Sequence, residues 1–347
     1  MRRRSVRFFY APKPAKDELL SSWIHRLSVG QESCGSDLVG TVDVDWEPSL
    51  ELLAWLAQGS EQSVAKLRMM TLSARYPGLL RRDFARSLGA VFPGCHAYCP
   101  LCAQVDLEHH REVIQRTTDA GLWRLMCRKH GCLLQSAGAE SELTPHRRYD
   151  ERLWAHGRHA PLNPIAAPPI SMAFERAMDR VKVGRDPGPL WLERDPKAFK
   201  DAATVLANVC MVMRRTGSIR PSPAWALLGA RHPELYGRGV SKYEPSLLRQ
   251  LDTSLRTLAW IAAARLLLKP RANPRLGEAI WWAPFTAQKE FRGAPWTVAA
   301  NVMPMHLWSS LWLTAADWGQ ELRDEIHAAL AAQYARIGAS PPPYEST

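Results

Sequence analysis

Two short stretches carry residue types able to hold a metal. HAYCPLCAQ contains Cys99 and Cys102 with two residues between them, and CRKHGC contains Cys127 and His130 with the same gap. The pattern is C-x2-C, then 24 residues, then C-x2-H. A gap of two lets one tight turn present both side chains to one ion, and thiolate with imidazole is a donor set that tetrahedral zinc takes. Cys99, Cys102, Cys127 and His130 are therefore the expected ligands of one structural Zn2+. Cys95 and Cys132 flank the set, and His96, His109 and His110 lie close by; these are read as packing groups or supports of the ligands. Four protein ligands leave no position open for water, and neither an H-E-x-x-H helix nor the H-x-E lead of a zinc deaminase occurs. The metal is expected to hold the fold rather than to catalyse. GRGVSK (237–242) lacks the G-K-[ST] of a phosphate loop, and no nucleophile–base, paired-carboxylate or dinucleotide pattern stands out. The expectation is a protein that is not an enzyme.

The elements between the half-sites must bring them together. REVIQRTT and GLWRLMC are expected to pair as a short β-hairpin across Asp119-Ala120-Gly121, which folds the second half-site back beside the first as in a zinc ribbon. So small a segment has little apolar content, and metal binding would supply its folding energy.

Upstream, PKPAKDELLSSWIHRLSVG leads into a helix in which Leu20, Trp23, Ile24 and Leu27 recur at helical spacing, with Asp17 as its expected cap. Residues 49–58, capped by Ser49, and 61–72 form two short helices across Gly59-Ser60, a helix-turn-helix pattern. In the second, Val64, Leu67 and Met70 share a face. Downstream the pattern is helical again, strongest over 198–215, 245–268 and 319–336.

The expected architecture is mainly α: an N-terminal helix-turn-helix module (1–94), a zinc-ribbon-like insert with a short β-hairpin (95–137), a linker or packing arm (138–170), a C-terminal helical domain (171–337) and a disordered tail (338–347). A length of 347 residues allows two or three domains of about 100–200 residues each. Most of the fourteen tryptophans, among them Trp281, Trp282, Trp296, Trp308, Trp312 and Trp318, are expected in cores, as are the thiols of Cys34 and Cys210. Asp317, Glu321, Asp324 and Glu325 are expected on an exposed helix face.

The net charge of +11 favours a polyanionic partner. Lys66, Arg68, Arg75, Arg81, Arg82 and Arg86 form a run with one acid, Asp83, and follow the helix-turn-helix. They are candidates for nucleic-acid contact; a solvated helix face or a surface for an acidic protein are the alternatives. The longest apolar run, LAWIAAARLLL, falls short of a span of about 20 residues and contains Arg265. The basic start lacks the apolar stretch of a signal peptide. The expected location is the cytoplasm, in association with the nucleoid, where seven cysteines favour metal or free thiols over disulfides.

Two blocks make the chain similar to a known family. DELLSSWIHRLS resembles the Asp-Glu-Ser-x-x-Ser-Trp-Leu-x-Arg-Leu lead of the TniQ family of transposon target-selection proteins, which includes TnsD-like members. CPLC followed by CRKHGCLL resembles the family's Cys-Pro-x-Cys and Cys-x-x-His-Gly-x-x-Leu. The likeness spans roughly residues 14–135. It implies a non-enzymatic adaptor that marks the insertion site and helps recruit an AAA+ ATPase regulator. Targeting in such proteins runs either through attachment-site DNA or, as a homodimer, through an RNA-guided Cascade-type complex. The chain ends without the longer C-terminal extension of the TnsD-like DNA binders, which favours the shorter adaptor type, and a stand-alone selector is equally compatible. The resemblance further implies that the N-terminal module meets the ATPase. Phe8, Phe9 and Tyr10, in a basic Pro-containing arm, are the docking candidates; an edge strand packed on the body is the alternative. From another class, the competing reading is a stand-alone zinc-containing helix-turn-helix DNA-binding regulator.

Overall fold

The structure is a computed structural model that describes residues 13–15, 17–29, 53, 56–57, 61–71, 74, 97–110, 114, 116, 123–136, 164–214, 222–228, 242–245, 247–251, 253–269 and 294–343. The chain divides into two compact units, residues 1–165 and 166–347. Helices dominate both, as the sequence patterns predict. No helix among the described residues is long and apolar enough to cross a membrane.

In the first unit, α1 (Leu20–Val29) is followed by α2 (Glu61–Met69), β1 (Ala97–Tyr98), α3 (Pro100–His110) and β2 (Gln135–Ser136). The apolar stripe of α1 is buried as its spacing requires. Leu20, Trp23, Ile24 and Leu27 pack with Leu53, Leu56, Ala57, Leu67 and Met70, and Val64 covers their edge. Burial of such side chains is worth about 1.5–3 kcal/mol each. Leu53 and Leu56 are helical, and the Ala57 N–H donates to the Leu53 carbonyl at 2.8 Å; Ser49 lies outside the described residues. The second expected helix is present as α2, and Thr71 closes it by donating to the Arg68 carbonyl and accepting from the Ala74 N–H.

Asp17 does not cap α1. It occupies the left-handed region, φ 59°, in a turn before the helix. The first free N–H of α1 is instead met by the chain end of α2: the Leu20 N–H donates to the Met70 carbonyl at 3.1 Å. The acid that organises this corner is Glu18, which is fully buried. Its carboxylate accepts from Arg26 Nε at 2.9 Å, Arg26 Nη2 at 2.7 Å, Ser22 Oγ at 3.2 Å and the Ala15 N–H at 2.7 Å. Arg26 also donates to the Lys13 carbonyl. Two buried opposite charges with their hydrogen-bonding positions filled hold the entry strand against the helix.

The second unit contains α4 (Pro169–Lys182), α5 (Pro196–Cys210), α6 (Pro223–Leu228), α7 (Leu247–Gln250), α8 (Thr253–Leu267), α9 (Pro295–Val302), α10 (His306–Thr314), a 3-10 turn (Ala315–Asp317) and α11 (Gln320–Arg336). Proline at the first position starts α4 and α5, where the missing N–H costs nothing. Asp195 caps α5 by accepting from the Ala198 N–H at 2.7 Å. The expected helix at 198–215 stops at Cys210, where the next two N–H groups turn back to Asn208 and Val209. The one at 245–268 is broken at Leu251 into α7 and α8. The segment expected as linker to residue 170 already enters α4 at Pro169.

An aromatic cluster centres this unit. Phe174 lies 6.0 Å from Trp191 and 5.6 Å from Trp260, and Trp191 meets Phe199 edge-on at 5.4 Å. Trp296, Trp308, Trp312 and Trp318 are buried as expected, and Cys210 is fully buried, with its thiol pushed up by desolvation. Trp281, Trp282 and Cys34 lie outside the described residues. Glu193 is also buried and accepts from the N–H groups of Arg194, Asp195 and Gly319, which ties the start of α11 to the loop before α5. A Cβ at Gly319 would meet the Glu193 carboxylate at 3.0 Å, a tight approach that would oblige that side chain to shift by a few tenths of an ångström. The acids Asp317, Glu321 and Asp324 are exposed, and Glu321 pairs with Lys269.

Arg26→Ala leaves Glu18 buried without its counter-charge and is expected to destabilise the chain by about 3–5 kcal/mol. Arg26→Met with Glu18→Leu, which removes both charges, is expected to lose far less. Denaturant unfolding of the three chains tests this; equal losses in the single and double variants would show that the pair is not what holds the corner.

Candidate metal centre

The four expected ligands converge. Cys99, Cys102, Cys127 and His130 place one donor atom each so that all four lie within 4.8 Å of one another. The three cysteines are buried and His130 is half-buried. His130 Nδ1 is 3.3 Å from Cys99 Sγ, 3.4 Å from Cys102 Sγ and 3.8 Å from Cys127 Sγ; Cys102 and Cys127 Sγ are 3.8 Å apart. A tetrahedral zinc with ordinary bond lengths needs about 3.8 Å between sulfurs and about 3.5 Å between sulfur and nitrogen. Donor types and spacing fit such an ion.

Local structure explains the convergence. Cys99 follows β1, and α3 begins at the next residue, so Cys102 sits in the first turn of a helix. The Cys102 N–H points at Cys99 Sγ, 3.4 Å away, and the Ala103 N–H bonds the Cys99 carbonyl. A helix N-terminus favours thiolate over thiol. On the other side, Cys127-Arg-Lys-His-Gly closes a turn in which the Gly131 N–H returns to the Cys127 carbonyl at 2.8 Å, and the Cys127 N–H donates to the Cys132 carbonyl at 2.8 Å. Gly131 has φ +64°, which suits glycine.

The short sheet that aligns these turns is not the expected one. β1 pairs antiparallel with β2, Ala97 opposite Ser136 and Tyr98 opposite Gln135. Met126 bridges to Leu133, and the Leu134 N–H donates to the Leu125 carbonyl. This pairing flanks the ligand turns. Most of the expected hairpin, including its turn at 119–121, lies outside the described residues. Within it, Arg116 bridges to Glu18, and the segment after the first ligands is the helix α3.

The electrostatics follow from crowding. Cys127 is held well below the ordinary thiol range by hydrogen bonds from Cys102 and Cys99, with help from the His130 and Lys129 N–H groups. Cys102 is pushed up by the same contacts with Cys127 and Cys99 and by burial. Three sulfurs this close do not all ionise unless a cation lies among them.

Other expected residues fare differently. Lys66 and Arg68 are exposed on α2. Arg75, Arg81, Arg82, Arg86, Phe8, Phe9, Tyr10, Cys95 and His96 lie outside the described residues. His109 is exposed, while Cys132 is buried with Sγ 3.4 Å from Cys99 Sγ. Sequence reasoning did not find the buried pair formed by Asp106 of α3. Its carboxylate accepts from Arg116 Nη2 at 2.6 Å and Nη1 at 2.8 Å, and from the Ile114 N–H at 3.2 Å. Its partner is ten residues away in the sequence, so no periodic pattern announces it.

Gly131→Ala, which forces a side chain into the left-handed turn, is expected to cost about 1–2 kcal/mol, and Gly131→Asn less. Thermal unfolding measures this. An alanine variant as stable as the parent would mean that the turn adopts another backbone.

The chain matches no curated protein and no solved structure. Residues 9–134 match the TniQ family, and that segment contains both the Glu18–Arg26 corner and the four converging donors. Over these residues the chain is similar to the TniQ family.

Proposed function

We propose that the chain is a non-enzymatic target-selection adaptor in DNA transposition, built around one structural Zn2+ held by Cys99, Cys102, Cys127 and His130. The family match at residues 9–134 is the observation that carries this reading. The donor cluster supports the metal: four protein donors complete a tetrahedral shell, and a shell without an open position contributes folding energy rather than a Lewis acid.

In this reading the adaptor joins a target-recognition partner to an AAA+ ATPase regulator. The recognition partner is an RNA-guided Cascade-type complex or attachment-site DNA, and the adaptor acts as a monomer or homodimer. Zinc loading requires the three thiols and the imidazole to lose their protons, so affinity falls as pH falls. The purified chain is expected to contain about one zinc, by elemental analysis, and to release it on acidification or with a strong chelator. Cys102→Ser and Cys127→Ser are expected to lose both zinc and solubility, while Cys210→Ser keeps its zinc. Well-folded protein without stoichiometric zinc would refute the metal assignment.

One observation favours direct DNA contact, which is also the competing reading of a stand-alone DNA-binding regulator. Lys66 and Arg68 are exposed on the second helix of the expected helix-turn-helix, in a chain of net charge +11. A mobility shift separates the readings. A regulator binds a defined duplex alone; an adaptor on an RNA-guided complex retains an AAA+ ATPase regulator when target complex is present. If Lys66 and Arg68 meet phosphates, each change to Ala weakens binding on all sequences alike and lowers the salt slope by about one. Deleting residues 2–12, which removes Phe8, Phe9 and Tyr10, is expected to leave zinc content intact and reduce ATPase capture. Normal capture by that deletion would place the docking site elsewhere.

A further inference from the structure

Cys132 is a fifth soft side chain at the centre, outside the four-donor set. Its Sγ lies 3.4 Å from Cys99 Sγ, and the side chain is 2% exposed. Among the described residues, the donor atoms that all lie within 4.8 Å of one another belong to Cys99, Cys102, Cys127 and His130. Cys132 therefore touches the cluster from the Cys99 side without completing it.

Its position is fixed by the ligand turn itself. The Cys132 carbonyl accepts from the Cys127 N–H at 2.8 Å, and the next residue, Leu133, is held by the bridge to Met126 and by donating to the Ile165 carbonyl at 2.7 Å. The second half-site thus delivers two ligands and, two residues after His130, a thiol against a ligand of the first half-site.

A metal-bound thiolate is an acceptor, and a buried neutral thiol is a donor. Cys99 already receives the Cys102 N–H at 3.4 Å. We propose that Cys132 is a positioning residue of the metal centre, whose S–H donates to the Cys99 thiolate and holds that sulfur toward the ion. No bond to the metal and no redox step is involved. Groups that orient a ligand in this way typically change metal affinity by about 10–100-fold when removed.

The inference rests on zinc occupying the four-donor site, and the experiment separates the two. X-ray absorption at the zinc edge on the full-length parent chain counts the donors; three sulfurs and one nitrogen are expected. Chelator competition then compares the parent with Cys132→Ala and Cys132→Ser, and cobalt substitution reports the sulfur-to-metal charge-transfer band. Cys132→Ala is expected to bind about one zinc with affinity lower by about 10–100-fold. Cys132→Ser, whose hydroxyl still donates, is expected to recover most of that loss with an unchanged band. Should the alanine chain not fold, the donor count and the serine variant still decide. Alanine affinity equal to the parent overturns the proposal, and so does a serine variant as weak as alanine. Four sulfurs in the parent, or a weakened band in the serine variant, makes Cys132 a ligand and overturns it as well. A parent chain free of zinc refutes the metal assignment itself.

Discussion

Three sulfurs and an imidazole nitrogen crowd into one buried space, and the first unit is arranged around that constraint. Among the described residues, Leu134 packs with the thiols, and Ala97 and Leu101 cover them in part. Such a cluster has little area with which to hold two chain segments together. Its sulfurs compete for protons, Cys127 held low and Cys102 pushed high by their contacts with each other and with Cys99. A divalent cation at their centre would turn that repulsion into attraction and make the turns around Cys99 and Cys127 one structural element.

What surrounds the cluster transmits its position. Cys102 lies in the first turn of α3, and Asp106 one turn later pairs with Arg116. The Arg116 backbone bridges to Glu18, and the Glu18 carboxylate holds Arg26 of α1. A path of helix, ion pair, strand bridge and ion pair thus runs from the donor cluster to the N-terminal helix. Each ion pair is buried on at least one side, where leaving one charge unmatched is costly. The family match covers this whole path, which is consistent with its being one functional piece.

The second unit follows a different logic. Its core is aromatic and aliphatic, and Trp191, Trp260, Trp296, Trp308, Trp312 and Trp318 are buried in it. Polar groups appear inside where they stitch elements: Asn208 accepts from the Leu248 N–H and donates to the Pro245 carbonyl, and Glu193 receives the start of α11. These arrangements serve packing, and no donor cluster comparable to that of the first unit occurs among its described residues.

The sequence alone determined whatever depends on local spacing. The C-x2-C and C-x2-H gaps mark the four donors that converge, because a two-residue gap lets one turn present two side chains to one point. The 3.6-residue period of Leu20, Trp23, Ile24 and Leu27 specifies α1 and its buried face. The tertiary structure decided what depends on residues distant in the chain. Asp17 is a plausible cap by position, yet the Met70 carbonyl reaches the helix end first. Glu18, a charged residue expected at the surface, is buried because Arg26, Ser22 and a backbone N–H fill its acceptor sites. The sheet joins the outer flanks of the ligand turns because that register lets both turns face one point. Cys132 reads as one more thiol in the sequence; its contact with Cys99 exists only once the strands have paired, since hydrogen bonds between distant segments leave no periodic trace in either one.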